Sequence, residues 1–350
     1  MSQGVRCMIM RGGTSKGAFF VESDLPSEVA ERDRLLMQIM GTPDARQIDG
    51  IGGAHPLTSK VAVVSPSDAD DVDVEYLFLQ LGVDEAFVTD RQNCGNLLAG
   101  IGPFALERGL VSFADGRASV RIRMRNTGGM AVAHFPVQDG MPIYSGETSI
   151  SGVPGTGAEI AIDFVGIAGG STGALLPTGN VADVVGGLEA TLVDNGMPVV
   201  VMRADALDVS GYESCAELES NERLRARLEE IRLEAGQMMG LGDVANATIP
   251  KLTLVSPPKA GGSVSTRTFI PHRCHDAIGV LGAVSVATAC ILEGTPAGEV
   301  AEVASSLVAL EHPTGSFEAR VEVEGTDVLR AGIVRTARKL MDGVVYPRVY

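Results

Sequence analysis

The 350-residue chain has no tryptophan, five histidines, five cysteines and an aromatic content of only 4 %. His272 and His275 are close together, but no carboxylate or third ligand stands at a recognisable spacing, so nothing reads as a metal site. Cys7, Cys94, Cys215, Cys274 and Cys290 are odd in number, scattered and without any CxxC spacing. That excludes a disulfide framework or a zinc motif and reads as reduced thiols of a cytoplasmic protein. No run of Lys or Arg occurs, and the formal net charge is −16 with a pI of about 4.7. So acidic a chain is not expected to bind nucleic acid or an anionic membrane. Any anion site must be made locally, from backbone N–H groups and a few placed cations. The start, MSQGVRCMIMRGGTSKG, lacks the apolar core of a signal peptide. No window reaches the roughly 18 uninterrupted apolar residues of a membrane span.

Glycine is abundant instead, with 43 residues, which points to many tight turns. Hydrophobic residues make up 45 % and charged residues 21 %, an ordinary soluble globular composition on a length that allows two medium domains. Most of the chain reads as short strands bounded by Gly and Pro: VRCMIMRGG, GAFFVES, KVAVVSPS, VDVEYLFLQLGVD, ASVRIRMRNTGG, MAVAHFPV, ATLVDNGMPVVVMRA and PKLTLVSPP. Ser27 to Met40 and Asn221 to Met239 carry helical apolar stripes. Leu97–Gly109 and Gly279–Leu292 are apolar nearly all round, which predicts two centrally buried helices. The spacing from Gly12 to Cys94 nearly equals that from Asn195 to Gly279. MRGGTSKGAFF and VDNGMPVVVM therefore read as counterparts, each preceding one buried helix, which suggests two homologous halves. The expected division is 1–182 and 183–332, with the hinge in LLPTGNVADV near residue 180 and a C-terminal strand at about 333–350 packing back on the first half.

Cys94 stands in Asn93-Cys94-Gly95-Asn96, just before the first buried helix. The free N–H groups of a helix start favour a thiolate and can seat a carboxylate. Asn93 and Asn96 can bind a carboxylate or enolate through their amides. The bland alternative for Cys94 is a small buried hydrophobe. Lys60 enters an apolar strand from a glycine-rich loop, which suits either a base pointing into a cleft or a solvated loop lysine. Arg11-Gly12-Gly13-Thr14-Ser15-Lys16-Gly17 is not a P-loop, because a strand follows it. It reads as a backbone nest for a carboxylate or as a structural turn. Asp194-Asn195-Gly196-Met197-Pro198 reads the same way. His272 and Arg273 gather an imidazole and a certain cation near the expected interdomain cleft.

MRGGTSKGAFF, QIDGIGGAHPLTSKVAVV, QNCGNLLAGIGPFALERG, GALLPTGN, VDNGMPVV, FIPHRCH and RTARKLMDGVV together resemble the methylaconitate isomerase (PrpF-like) family. Within it the chain is most similar to the 4-oxalomesaconate tautomerases and isomerases of gallate and protocatechuate degradation. The resemblance runs from Met10 to Val345. It implies an α+β, diaminopimelate epimerase-like fold: two pseudo-symmetric halves, each a mixed β-sheet or barrel around a central buried helix, with the site between them. It also implies an isomerase with no cofactor and no metal, a small tricarboxylate-type substrate, and an assembly open to a homodimer. Racemases of this fold start each central helix with a cysteine. Cys94 matches the first, and Gly279 stands at the second, so a two-thiol epimerisation is not expected. Relatives lead to Lys60, Cys94 or both as the catalytic residues of a tautomerisation or 1,3-allylic proton shift. The expected substrate contacts are Arg11, Gly13, Thr14, Ser15, Ser59, Asn93, Gly95, Asn96, Asn195, Met197, His272 and Arg273. Ser171-Thr172 stand where close relatives are expected to have a cysteine before GALLPTG. The rival readings are cis–trans isomerisation of 2-methylaconitate in propionate metabolism and a non-catalytic polycarboxylate-binding accessory.

Overall fold

A computed structural model describes residues 4–91 and 94–348. The chain divides into two compact units, one of residues up to Asp163 together with those from Val334 on, the other of Phe164–Ile333.

In the first unit, Val5–Gly12 (β1) and Ser15–Val21 (β2) form a hairpin closed by two residues. Helix α1, Val29–Met40, then carries the chain across to β3, Lys60–Pro66, which lies parallel to β2. Glu28 starts α1 by accepting the Ala30 and Glu31 N–H groups, and Gly41 ends it in the left-handed conformation at φ 82°. Strand β4, Val74–Leu81, returns antiparallel to β3 and is followed by the short β5, Val88–Thr89. Helix α2, Gly95–Glu107, leads to β6, Gly116–Met124, parallel to β4. Strand β7, Met130–Gln138, is antiparallel to β6, and β8, Met141–Pro142, pairs with β7. Every α2 residue from Leu97 to Leu106 is buried, and the helix touches β1, β2, β3, β6, β7 and β8. A helix apolar all round needs such a wrapping sheet.

Strand β9, Ile160–Val165, ends this stretch. In the second unit β10, Asp183–Val185, and β11, Leu188–Asp194, lead to β12, Pro198–Arg203. Helices α3, Cys215–Ser220, and α4, Glu222–Met238, cross to β13, Lys251–Ser256. Next come β14, Val264–Phe269, helix α5, Val280–Ile291, β15, Leu307–His312, β16, Gly315–Glu324, and β17, Asp327–Arg335. Strand β18, Ala337–Val345, lies antiparallel on β1, from Val5 opposite Val345 to Gly12 opposite Ala337.

The fold is α+β, and the two units repeat one plan. Along β1-β2-β3-β4-β6-β7 the pairings run antiparallel, parallel, antiparallel, parallel, antiparallel. Along β11-β12-β13-β14-β15-β16 they run in the same order. One sheet face carries an amphipathic helix: Leu36 and Ile39 of α1 pack with Val61, Val63, Leu77 and Leu79, as Leu224, Leu228 and Ile231 of α4 pack with Val200, Met202, Leu252 and Leu254. Alternation along a strand sends the intervening residues to the other face. That places Lys60, Tyr76, Phe78 and Gln80 on the inner face, with α2.

Two expectations need correcting. The division falls at Asp163/Phe164, not near residue 182. The reason is that the segment after 164 is tied to β11: Gly169 N donates to Asp194 O at 2.7 Å and Asp194 N to Leu175 O at 2.8 Å. ATLVDNGMPVVVMRA is two strands, because Asn195-Gly196-Met197 turns the chain between β11 and β12. Among the described residues, no helix is long and apolar enough to cross a membrane.

Candidate active site

In the first unit the β1–β2 turn sits on the start of α2. A Cβ at Gly12 would stand 2.5 Å from Asn96 O, and one at Gly13 would stand 2.2 Å from Asn96 Oδ1. Gly13 also takes φ 52°, so both positions demand glycine. Asn96 ties the tip down: its Nδ2 donates to Thr14 Oγ1 at 3.1 Å, and its Oδ1 accepts from Arg335 Nε at 3.3 Å. Arg11 donates through Nη1 to Gly13 O at 2.8 Å and to Thr336 O at 3.0 Å. Gly13 N donates to Thr336 O at 2.9 Å. Arg11 and the Gly13 amide therefore hold the turn's own backbone. Ser15 is 2 % exposed and its Oγ has no hydrogen-bond partner among the described residues, which leaves a dry hydroxyl for a ligand to meet.

Cys94 caps α2 at φ −124°, ψ 96°, its side chain making no capping hydrogen bond. The first-turn N–H groups, beginning with Gly95 and Asn96, consequently receive no cap from the Cys94 side chain and keep their pull on negative charge. The thiol residue is 8 % exposed. Asn93 lies outside the described residues.

Lys60 opens β3 and is directly opposite Gln80 on β4. Its Nζ donates to Gln80 Oε1 at 3.0 Å and stands 4.9 Å from the Phe78 ring centroid. Lys60 is 8 % exposed, so the reading as a solvated loop lysine does not hold. A Cβ at Gly17 would meet Lys60 O at 2.7 Å and Leu97 Cδ2 at 2.8 Å, which puts the Lys60 backbone beside the first turn of α2. Gln80 is fixed in turn, its Nε2 donating to the carbonyls of Pro56, Ser59 and Leu81. Ser59 is fully buried and donates to Gln47 Oε1 at 2.8 Å, so its hydroxyl braces the Lys60 loop and is not open to substrate. Gln80 and Gln47 are absent from the sequence-based set. Gln80 had a signal, a lone amide in the apolar run VEYLFLQL. Gln47 had none.

In the second unit the equivalent turn is hydrogen-bonded to the side chains of α5. Asn195 is fully buried; its backbone N accepts no ligand because it donates to Ser285 Oγ at 3.1 Å, while its Nδ2 donates to Thr288 Oγ1 at 2.9 Å. Ser285 Oγ donates to Met197 O at 2.7 Å. Ser171 and Thr172 donate their backbone N–H groups to Asp194 Oδ2 at 2.8 and 3.0 Å. Of the two readings given to this turn, these bonds favour the structural one, a clamp on α5, while Asp194 Oδ1 and Asn195 Oδ1 have no partner among the described residues. Gly279 caps α5, and a Cβ there would meet nothing within 4 Å. His272 leans to Glu229 of α4, with Nδ1 3.6 Å from Oε2, and Arg273 is exposed beside it. Helix α4 covers the sheet face away from α5, so His272 is drawn to the side opposite that helix. Cys274 lies with its Sγ 2.9 Å from that of Cys215. Among the described residues no three His, Cys, Asp or Glu side chains gather as a metal site.

The PrpF protein family matches residues 2–348. The chain is 56 % identical over 344 residues to the (4E)-oxalomesaconate Delta-isomerase of Novosphingobium sp., covering 97 % of this chain and 96 % of that one. It is 55 % identical over 344 residues to the 4-oxalomesaconate tautomerase of Pseudomonas putida, covering 97 % and 95 %. The crystal structure of methylitaconate-delta-isomerase superposes with a TM-score of 0.90 at 34 % identity, over 99 % of this chain and 96 % of that one. The fold is diaminopimelate epimerase-like, and the relatives named here are isomerases. With a match along nearly its whole length, the chain belongs to the PrpF protein family.

Proposed function

We propose that this protein, an isomerase, moves a proton on 4-oxalomesaconate, using Lys60 and Cys94 and no cofactor. The observation that carries the reading is the Lys60 amino group, buried on the inner face, with Gln80 as its one hydrogen-bonding partner among the described residues. Gln80 takes one Nζ–H, and the rest of the nitrogen is left for a substrate. The names borne by the two relatives supply the substrate class.

In the proposed reaction Lys60, as the neutral amine, takes the proton from the carbon flanked by carboxylate and carbonyl groups. The electron pair spreads into a dienolate. Its negative charge falls on oxygens seated against the uncapped N–H groups of Gly95 and Asn96 and the Ser15 hydroxyl. Preorganised donors of this kind typically lower a barrier by about 3–4 kcal/mol each. The Cys94 thiol then delivers a proton to the far end of the conjugated system, and exchange with water restores thiol and amine. A one-sided transfer needs no second thiol, which suits a glycine at position 279.

Incubation of 4-oxalomesaconate with the protein in heavy water, followed by ultraviolet absorbance and proton NMR, tests this. Turnover with deuterium at a substrate carbon is expected. Deuterium at the carbon two bonds from the lost proton identifies an allylic shift, and rapid exchange at the α-carbon identifies keto–enol chemistry. Turnover of 2-methylaconitate alone would transfer the reaction to that acid, and turnover of neither would leave an accessory binder.

A further inference from the structure

Gln80 is buried on the inner face of β4, and both ends of its amide are committed. Nε2 faces three carbonyl oxygens, Pro56 O at 3.1 Å, Ser59 O at 3.0 Å and Leu81 O at 3.2 Å. An amide oxygen turned toward them would be repelled, so these carbonyls decide which end of the group points away. That end, Oε1, is the one that accepts from Lys60 Nζ at 3.0 Å. The acceptor is therefore fixed in place and carries no charge. Its lack of charge matters. A carboxylate beside an amine holds the amine's proton, whereas an amide oxygen accepts an N–H from the neutral amine as well as from the ammonium. We propose that Gln80 is a positioning residue for Lys60, its fixed and uncharged oxygen holding Nζ in one place while leaving the amine able to take up and release a proton.

The titratable groups on the elements packed against Lys60 leave this part to the amide. Alternation turns Lys16 of β2 and Glu75 of β4 to the opposite sheet face, where Glu75 pairs with Arg123. His55, in the loop before β3, accepts the Leu57 N–H. On the inner face, burial holds the Tyr76 phenol well above its ordinary pKa, so it stays neutral. Cys94 stands at the cap of α2, and among the described residues no hydrogen bond joins it to Lys60 Nζ.

The inference rests on Lys60 being the base, and its test reads the Gln80–Lys60 link without turnover. Acetic anhydride acylates the unprotonated amine, so labelling of Lys60 is followed against pH by peptide mass spectrometry in the full chain, in Gln80→Glu and in Gln80→Met. Both substitutions strip the three carbonyls of their donor. A loosened loop is therefore common to the two, and the charge beside Nζ is what differs. The labelling midpoint should rise by about one to three pH units in Gln80→Glu, which holds the proton, and fall in Gln80→Met, which leaves the ammonium without its acceptor. Midpoints that stay put, or that move the same way in both variants, overturn the proposal. In the assay, Gln80→Met should lower kcat by about 10²-fold with KM little changed, because Gln80 reaches the reaction through Lys60. A change confined to KM counts against it. Should neither variant fold, NMR of the unaltered chain decides: the Lys60 Hε protons should be resolved from one another, as in a side chain held in one rotamer, and a coincident pair would refute the positioning role. Oppositely moved midpoints together with a fully active Lys60→Ala would uphold the Gln80 link and remove Lys60 from the reaction.

Discussion

The two units repeat one strand order around one buried helix, yet they spend their polar groups differently. In the first, the helix start is capped by Cys94, whose side chain makes no capping bond, while among the described residues the Ser15 hydroxyl has no hydrogen-bond partner and Lys60 Nζ bonds Gln80 alone. In the second, the hairpin tip is bolted to α5 through Ser285 and Thr288, and the cap is Gly279. A repeated fold supplies two helix starts. Neither start receives a hydrogen bond from its cap residue's side chain, but only the first has a titratable side chain at the cap. The comparison predicts that substitutions at matched positions differ sharply in effect.

The largest contrast is catalytic. Lys60→Ala should lower kcat by about 10²–10⁴, the usual contribution of a general acid or base, and Cys94→Ser by about the same order. Cys94→Ser should leave the thermal midpoint close to that of the parent, Lys60→Ala should lower it modestly because Gln80 Oε1 loses its donor, and Gly279→Ala should retain the parental rate. Steady-state kinetics on the three variants settles it. Equal losses at positions 94 and 279 would mean that both helix starts take part in the chemistry.

Next comes the packing of the caps. Gly12→Ala forces a methyl against the backbone of Asn96, where no rotamer change gives relief, and should cost about 1–3 kcal/mol. Gly279→Ala meets open space and should stay within about 0.5 kcal/mol. Urea unfolding of both variants measures the difference. A smaller effect sits at the clamp. Ser285→Ala strips partners from the Asn195 N–H and the Met197 carbonyl and should destabilise by about 1–2 kcal/mol. The exposed Thr14→Ala in the first unit's tip should be near neutral.

Sequence patterning made the central helices and the hairpin tips legible for clear reasons. Leu97–Gly109 and Gly279–Leu292 are apolar on every side, and that has one physical solution, a wrapping sheet. Strand β14 was not read, because VSTRTF carries hydroxyls and an arginine that find partners only across the sheet, as Thr268 does with Thr253 at 3.0 Å. The unit boundary was placed too late because a Gly- and Pro-rich stretch resembles a linker until its backbone is seen bonded to Asp194. The site followed the same rule. Lys60 and Cys94 stood out by local context. The Gln80 contact and the Ser59 brace depend on which residues face one another, and Asn195 was misread because its partners lie about 90 residues ahead.

The smallest predicted difference is a pH dependence confined to the second unit. Burial pushes the His275 and His312 imidazoles below the usual histidine value, and His312 feels the neighbouring His275 and Arg267 as well. His275 Nδ1 accepts the Ala277 N–H at 2.8 Å, a bond that needs the neutral ring. As pH falls past about 6.5, the unfolded chain takes up these protons before the folded one does, so folding stability drops. Carboxylates with depressed pKa occur in both units, among them Asp73 and Asp342 in the first and Glu213 and Glu311 in the second. Their contribution is lost only at lower pH, near and below the free carboxylate range of about 4. Between about pH 6.5 and 5, therefore, hydrogen exchange should quicken in β14 and β15 while β3 and β4 keep their protection. His275→Gln with His312→Gln should flatten the response. An equal loss of protection in β3 and β4 over that interval would show that the two units unfold as one, and the local contrast would then have to be read from activity alone.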